Sequence, residues 1–552
     1  MLPIPPPIPT MKAVFSILFK IMFKKRVHFE RQKHDEIAVS VYEFILIVIF
    51  DALLKYNTIQ KYKFCSMIKK VCRLLIFFFT ISYHSAFAQS AELPNQILDN
   101  WVNKEWLSHA SLGIYMEDSN TGETIYSYND EKSLIPASTQ KIFTTAAALQ
   151  ILGPNYQFVT RLSYNGEIRN DTLSGDLILK GGGDPTLGSE YFKNKYSCSN
   201  FLDIMIDSLK HKNIKLISGD IITDVSIYED QMIPDTWVWG DLGNYYGAGP
   251  CGLTVYDNMC KIHFSSPSVA GEPVKIISVS PDISDVNFEN RVLSSDINKD
   301  KTCVYGSPWG GKRIIRGTIP KGETDFVIKS SIPDPAFLMA SELRNKLKQN
   351  GIYFSGTIKK GKEIQKQSYI YNLCSIYSPS LMEIIRKTNY FSVNLFAEQI
   401  LKQIDYEKNG KGTTKGGVKV VLDYWKSQGL STDGIYMCDG SGLSRYNQFT
   451  PQQMVKVLSY MRNKSQYGDL FFNSIPDAPQ GTLYYFHGEN FPGRSLKAKS
   501  GSMTHIRCFA GCLKTVSGRE ILFSVMINQF LSNQYFVCNQ VEDLLKEVRM
   551  NL

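Results

Sequence analysis

Histidine is scarce in this 552-residue chain: eight in all, of which five (His109, His211, His263, His487 and His505) follow residue 88. None stands in an HxxxH or HExxH pair or in a Cys/His cluster, so the zinc signatures are missing and no metal or other cofactor is expected. The Gly-x-Ser-x-Gly elbow is missing as well. Two glycine-rich stretches fall short of a phosphate loop. "GGGDPTL" (181–187) lacks the closing lysine and hydroxyl, and "GKGTTKGG" (410–417) has the wrong spacing, so both read as turns. The body of the chain also lacks a basic excess. The formal charge is +9, yet residues 89–552 hold 48 Lys/Arg against 47 Asp/Glu. A nucleic-acid-binding protein would carry its surplus on the folded body, and that class is excluded.

Cysteine motifs are missing too. Nine of the eleven cysteines follow residue 88, an odd number, and no CxxC occurs. Cys508 and Cys512 lie in "CFAGC", which reads as a strand; they share one face at about 13 Å, too far apart for a disulfide. Other pairings stay open. Cys251, Cys260, Cys303 and the remaining cysteines read as buried small residues or disulfides rather than reactive thiols.

Long apolar runs are few, and the informative one is short. "MIKKVCRLLIFFFTISYHSAFAQS" opens at Met67 with Lys69, Lys70 and Arg73, continues through "LLIFFFTIS", and ends in Ala86-Phe87-Ala88. Basic start, apolar core and small-x-small site are the anatomy of a secretory signal peptide, here 67–88. A membrane anchor would need roughly 20 apolar residues, so no stable membrane span is expected. Signal peptides begin at the initiator methionine. Residues 1–66, a patchwork without coherent period, therefore read as upstream sequence from a wrong start site; a second hydrophobic element is the alternative. The mature protein is expected to start at Gln89 and to work outside the cytoplasm.

What remains is globular in composition, with 43% hydrophobic, 20% charged and 12% aromatic residues, and is long enough for two or three folded units. "LGIYMED-SNTG-ETIYSYN" (112–129) predicts a hairpin. "IPASTQKIFTTAAALQILG" predicts a helix with Ser138 at its N-cap and Gly153 as its stop. From about 155 to 370 short strands are broken by Gly, Asn, Asp and Pro, with one helix at "PAFLMASELRNKLKQNG". Helices return from 378, and "SLKAKSGSM", "IRCFAGCLKT" and "ILFSVMINQ" close the chain as strands. The first and last pieces together predict one antiparallel sheet packed on helices, an α+β architecture with nested insertions.

Against that frame the hexapeptide "PASTQK" (136–141) gains meaning. Ser138 and Lys141 are three apart, hence neighbours on a helix surface. Ser138 sits where free backbone N–H groups and the positive dipole end are available. A serine hydroxyl needs a base, and a lysine serves only when desolvation and a nearby cation strip its proton. Taken alone, S-x-x-K is a weak signal that a capping serine and a first-turn lysine also satisfy. Two further stretches add to it: Ser392-Val393-Asn394 at the mouth of a helix, and Lys499-Ser500-Gly501-Ser502 on a strand near the C-terminus. The order S-x-x-K, S-x-N, K-[ST]-G is the signature of penicillin-recognising acyl-transfer enzymes.

With "DGSGLSR" (439–445), "GGGDPTL" and the long insertion, the chain over 89–552 resembles the class C low-molecular-mass penicillin-binding proteins, the D-alanyl-D-alanine carboxypeptidase/endopeptidase family. The resemblance implies a penicillin-binding-protein/β-lactamase-like transpeptidase domain (89–154 and 371–552) interrupted by an inserted domain (155–370), with a third domain nested at about 225–315. It implies Ser138 as acyl-ester nucleophile and Lys141 as general base. Ser392, partnered by Lys141, relays the proton to the leaving amine. Asn394 holds the substrate's peptide amide. Lys499 sets a cation near the terminal carboxylate and helps keep Lys141 neutral, and the backbone N–H groups of Ser138 and Ser502 form the oxyanion hole. Ser500 stands where threonine is commoner in the family, with the hydroxyl kept. "DGSG" reads as a tight turn near the cleft. The substrates implied are peptidoglycan stem peptides, with β-lactam antibiotics as covalent inhibitors. Together with the signal peptide this suggests a periplasmic enzyme. A serine β-lactamase shares the three motifs, but the long insertion argues against it. A non-catalytic wall-binding protein would not need every reactive side chain.

Overall fold

The computed structural model describes residues 95–283, 285–361 and 369–552. The upstream segment, the signal peptide and the start at Gln89 lie outside the described residues.

The predicted hairpin forms β1 (Ser111–Asp118) and β2 (Thr124–Tyr128), antiparallel with Ile114 opposite Tyr128. Asp118 tightens the turn, its carboxylate accepting from the backbone N–H groups of Asn120 and Thr121, each at 3.0 Å. A 3₁₀ turn, Ala137–Gln140, then leads into helix α1 (Lys141–Leu152), which Gly153 closes at φ 81°. Lys141 through Leu149 are all buried, so α1 is a core helix, not a surface one. The expected N-cap role of Ser138 is corrected here: Gln140 holds the N-cap position and Ser138 lies inside the 3₁₀ turn. In 3₁₀ geometry residues three apart eclipse one another, which brings Ser138 under Lys141.

After the insertion come α2 (Leu381–Phe391), α3 (Asn394–Asn409), α4 (Thr414–Ser427) and α5 (Pro451–Asn463). Their starts are written locally. Ser380 with Glu383 and Thr450 with Gln453 make capping boxes, and Thr413 accepts from the Gly416 N–H. The chain ends with β3 (Leu496–Met503), β4 (Ile506–Lys514), β5 (Glu520–Asn528) and helix α6 (Gln534–Asn551).

The five strands form one sheet in the order β3-β4-β5-β1-β2. β5 pairs antiparallel with β1, from Ser111 opposite Asn528 to Asp118 opposite Ile521, so the two ends of the chain share a single sheet. Alternation sends Cys508, Ala510 and Cys512 into the core with α1 and α5, while Phe509 and Leu513 pack with Val541 and Leu545 of α6. Helices therefore cover both faces. Cys508 and Cys512 stand on one face unbonded, and all nine cysteines among the described residues are free thiols.

The insertion has its own core. Strand Val159–Tyr164 pairs antiparallel with Tyr371–Tyr377, so its entry and exit lie side by side in one five-stranded sheet. That closure runs seven residues past the expected end at 370. Two three-stranded sheets follow within residues 259–331. The architecture is α+β, an antiparallel sheet between helical layers interrupted by β-rich inserted modules. Among the described residues no helix is long and apolar enough to cross a membrane, and no His/Cys/Asp/Glu group is arranged to hold a metal ion.

Candidate active site

The three motifs, spread over more than 350 residues of the chain, meet at one end of the sheet. The Nζ of Lys141 lies 3.0 Å from Ser138 Oγ. It also donates to Asn394 Oδ1 at 2.6 Å and to the Ser441 carbonyl at 2.7 Å. Full burial pushes its pKa down to about 7, against the pull of Glu398 and Asp439 toward the charged form. A lysine at that value is half deprotonated near neutral pH and able to accept the serine proton.

Ser392 joins α2 to α3 in the left-handed conformation at φ 60°, a strained position for serine. Its Oγ accepts from Lys499 Nζ at 2.9 Å. The resemblance implied Lys141 as the partner of Ser392; the contact is made by Lys499 instead, because Lys141 Nζ already serves three acceptors. Lys499 also donates to the Ser500 carbonyl at 2.7 Å. Burial, with the charges of Lys141 and Arg507, holds Lys499 well below the ordinary lysine range.

Asn394, the first residue of α3, is bound on both sides. Its Oδ1 faces Lys141, and one Nδ2 hydrogen goes to the Tyr246 carbonyl at 2.9 Å. A single amide N–H is left to meet a substrate. Gly501 lets the outer strand of the sheet lie against the nucleophile turn: a Cβ there would sit 2.6 Å from the Pro136 carbonyl and 2.9 Å from the Ser138 nitrogen. Ser500 Oγ donates to the Thr482 carbonyl at 3.3 Å. With Ser138, Ser392, Asn394 and Ser502, Ser500 lines a cleft of about 470 Å³. A larger depression of about 750 Å³, lined by Trp425, Gln428 and Tyr460, contains none of the motif residues.

Sequence reasoning missed several members of the site. Glu398 lies one helical turn after Asn394 and is fully buried; its carboxylate accepts from the N–H groups of Gly440 (3.0 Å) and Ser441 (2.7 Å). Burial, then the charge of Asp439, raises its pKa to about 7. An acid spaced i+4 from Asn394 in an apolar helix was the available signal. Asp439 of "DGSG" is likewise buried and accepts from the Gly442 N–H at 2.8 Å, the Ser444 N–H at 2.6 Å and Asn447 Nδ2 at 2.9 Å. "DGSG" is thus a tight turn, and what it presents to Lys141 is a backbone carbonyl. Tyr191, Asp241, Tyr245 and Tyr246 come from the insertion and line the same cleft, with no motif to announce them. "GGGDPTL" is a packing turn in the insertion, where a Cβ on Gly182 would collide with the Val159 carbonyl.

The model of the D-Ala-D-Ala carboxypeptidase 3 (S13) family matches residues 94–548. The D-alanyl-D-alanine carboxypeptidase of Actinomadura sp. (strain R39) is 27% identical over 453 residues, 80% of this chain and 82% of that protein. The D-alanyl-D-alanine carboxypeptidase DacB of Haemophilus influenzae is 25% identical over 429 residues, 76% of this chain and 86% of that protein. Among solved structures, penicillin binding protein 4 from Haemophilus influenzae shares the fold at a TM-score of 0.69 and 24% identity, over 80% of this chain and 97% of that one. Its complex with a novel β-lactam gives 0.65 at 23% identity, with the same coverage. The extent of the family match, over a fold that gathers all three motifs around one serine, makes this chain a member of the D-Ala-D-Ala carboxypeptidase 3 (S13) family.

Proposed function

We propose that this protein is a serine D-Ala-D-Ala carboxypeptidase/endopeptidase of peptidoglycan stem peptides, acting through an acyl-enzyme on Ser138. The observation that carries the reading is the pairing of a buried, pKa-lowered Lys141 with Ser138 Oγ at 3.0 Å. Lys141 Nζ takes the hydroxyl proton as Oγ attacks the carbonyl of the penultimate D-alanine. The developing oxyanion is met by the backbone N–H groups of Ser138 and Ser502; losing a donor of this kind typically costs ~10²–10³ in rate. The C–N bond then breaks, and Ser392, in contact with Lys499, delivers a proton to the departing amine. Ser392 is resupplied by Lys499; water then attacks the acyl carbon and gives its proton back through Ser392 to Lys499, while Lys141 returns the first proton to Ser138 Oγ as the shortened peptide leaves.

The outer position of β3 in the sheet supports the substrate's placement. An extended peptide can add to its outer edge past Ala498, beyond the segment 476–478 that pairs with its first residues, with Asn394 holding an amide and Lys499 near the terminal carboxylate. A β-lactam offers the same reactive carbonyl, and the Haemophilus influenzae protein of this fold was solved with one bound. Residues 89–154 and the chain after the closing strand Tyr371–Tyr377 are read as the catalytic domain, 155–370 together with that strand as the insertion, and about 225–315 as the module nested within it. The signal peptide at 67–88 supports export to the periplasm, and amino-terminal sequencing of periplasmic material should then begin at Gln89.

The deciding experiment is mass spectrometry of products from purified muropeptide monomers and cross-linked dimers. Release of D-alanine, or of monomers from dimers, is expected. Intact substrates after incubation with folded protein would refute the reading.

A further inference from the structure

Two of the acceptors on Lys141 are bonded from the inserted domain as well as from the catalytic one. The first is Asn394 Oδ1. An amide can present either face, and here the choice is made by the Tyr246 carbonyl, which takes the Nδ2 hydrogen at 2.9 Å and leaves Oδ1 toward Lys141. Tyr246 belongs to the 3₁₀ turn Tyr245–Gly247 of the insertion. The second is the Ser441 carbonyl, carried on the 439–444 turn. The Asp439 carboxylate organises that turn, and its Oδ2 accepts from the indole N–H of Trp237 at 2.8 Å. Trp237 is buried and also belongs to the insertion.

The turn has little room to settle elsewhere. Gly442 sits at φ 82°, and a Cβ there would collide with the Ala137 carbonyl beside the nucleophile. Glu398 grips the Gly440 and Ser441 N–H groups from the other side. The charged groups that bear on Lys141 are Glu398 from α3, Asp439 from this turn and Lys499 from β3.

We propose that Trp237 is a positioning residue for the acyl-transfer reaction, which, with the Tyr246 carbonyl, makes the insertion part of the apparatus that aims Lys141 at Ser138. This rests on the reading of Ser138 and Lys141 given above. An insertion serving only to contact the wall would have no reason to bond the groups on either side of the general base. Removing the Trp237 N–H leaves the buried Asp439 carboxylate one donor short, and the Ser441 carbonyl loses its fixed place on Nζ. The base is then aimed less well. It is also less easily protonated, because a carbonyl dipole that favoured the ammonium has moved away.

The test is acylation of the full-length protein by a reporter penicillin, followed from pH 5 to pH 9. Trp237→Phe should slow the acylation rate constant about tenfold to a hundredfold, the scale of one hydrogen bond to a charged group. The initial non-covalent binding constant should hold, and the midpoint of the acid limb should move to lower pH. A purely structural role would lower thermal stability and leave that midpoint where it was. Trp309→Phe, an exposed tryptophan of the same domain, is the control and should behave as wild type. Gly247→Ala is the second variant, since its methyl would collide with the Asp241 carbonyl and displace the turn bearing the Tyr246 carbonyl. It should slow acylation as well. A folded Trp237→Phe or Gly247→Ala protein with wild-type rates and midpoint would overturn the proposal. A wild-type protein that no penicillin labels at Ser138 would instead sink the functional reading beneath it.

Discussion

Lys499 Nζ lies 2.9 Å from Ser392 Oγ, while Lys141 Nζ lies 3.0 Å from Ser138 Oγ. The site therefore contains two lysine–serine pairs, both lysines buried and both pushed toward the neutral form. In the proposed mechanism one pair serves the attack and the other the departure of the leaving group. Burial drives both lysines that way, and on Lys499 the charges of Lys141 and Arg507 add to it.

The first pair makes a prediction about pH. Lys141 works as a base only when deprotonated, and its pKa is lowered to about 7. Acylation by a labelled penicillin should rise with pH through that value and level off above it. Lys141→Ala should lose the limb and about 10²–10⁴ in rate, the usual contribution of a positioned general base. Ser138→Ala should abolish the adduct, mapped by mass spectrometry to the peptide containing "PASTQK".

The second pair separates turnover from binding. Ser392→Ala should lower kcat because proton delivery to the leaving amine fails. Lys499→Ala should raise KM about tenfold to a hundredfold for peptides with a free terminal carboxylate, and much less for the same peptides amidated, since a charge-assisted contact is lost. Burial holds Lys499 below the ordinary lysine range, so a carboxylate must draw a proton onto it. KM for free-carboxylate peptides should accordingly climb as pH rises. Steady-state kinetics on paired peptides checks both statements.

Thiol chemistry should be silent. The nine cysteines among the described residues are free, and burial raises the Cys508 and Cys512 thiols to about 12 and those of Cys198 and Cys251 to about 11. Thiolate at these four is therefore negligible at pH 8. Native protein should keep its penicillin-acylation rate after iodoacetamide treatment, and a reductant should leave Tm unchanged. A Tm that falls on reduction would expose a disulfide.

Core packing sets the stability of the platform under Ser138. Phe143 on α1 is fully buried, with ring centroids 4.5 Å from Phe449 and 6.1 Å from Trp425. Phe143→Ala should destabilise the catalytic unit by about 3–5 kcal/mol through lost burial and the cavity left behind. Urea denaturation followed by tryptophan fluorescence would report it.

How much of this was written locally differs from element to element. The helices after the insertion could be read directly, because Ser380, Thr413 and Thr450 sit at their starts and apolar residues recur at helical spacing behind them. The strands "IRCFAGCLKT" and "ILFSVMINQ" were legible as well, although both faces are buried, because β-branched and aromatic residues fill them between turn signals. The motifs announced the chemistry, since S-x-x-K, S-x-N and K-S-G each span no more than four consecutive residues. Burial and partnership were beyond local reading. The capping role expected of Ser138 failed because a 3₁₀ turn, not an α-helical one, precedes Lys141, and the exit strand of the insertion ran on to Tyr377.

By itself, then, the sequence determined which short motifs were candidates for the chemistry and which segments become helix or strand, because those properties depend on residue type and on neighbours a few positions away. Only the tertiary structure decided that Ser392 meets Lys499 rather than Lys141, that Glu398 and Asp439 are buried beside the base, and that Trp237 and Tyr246 reach in from the insertion. Those relations join residues at least 107 positions apart. They arise from desolvation and from hydrogen-bond geometry across packed elements, and neither is encoded in any one stretch of chain.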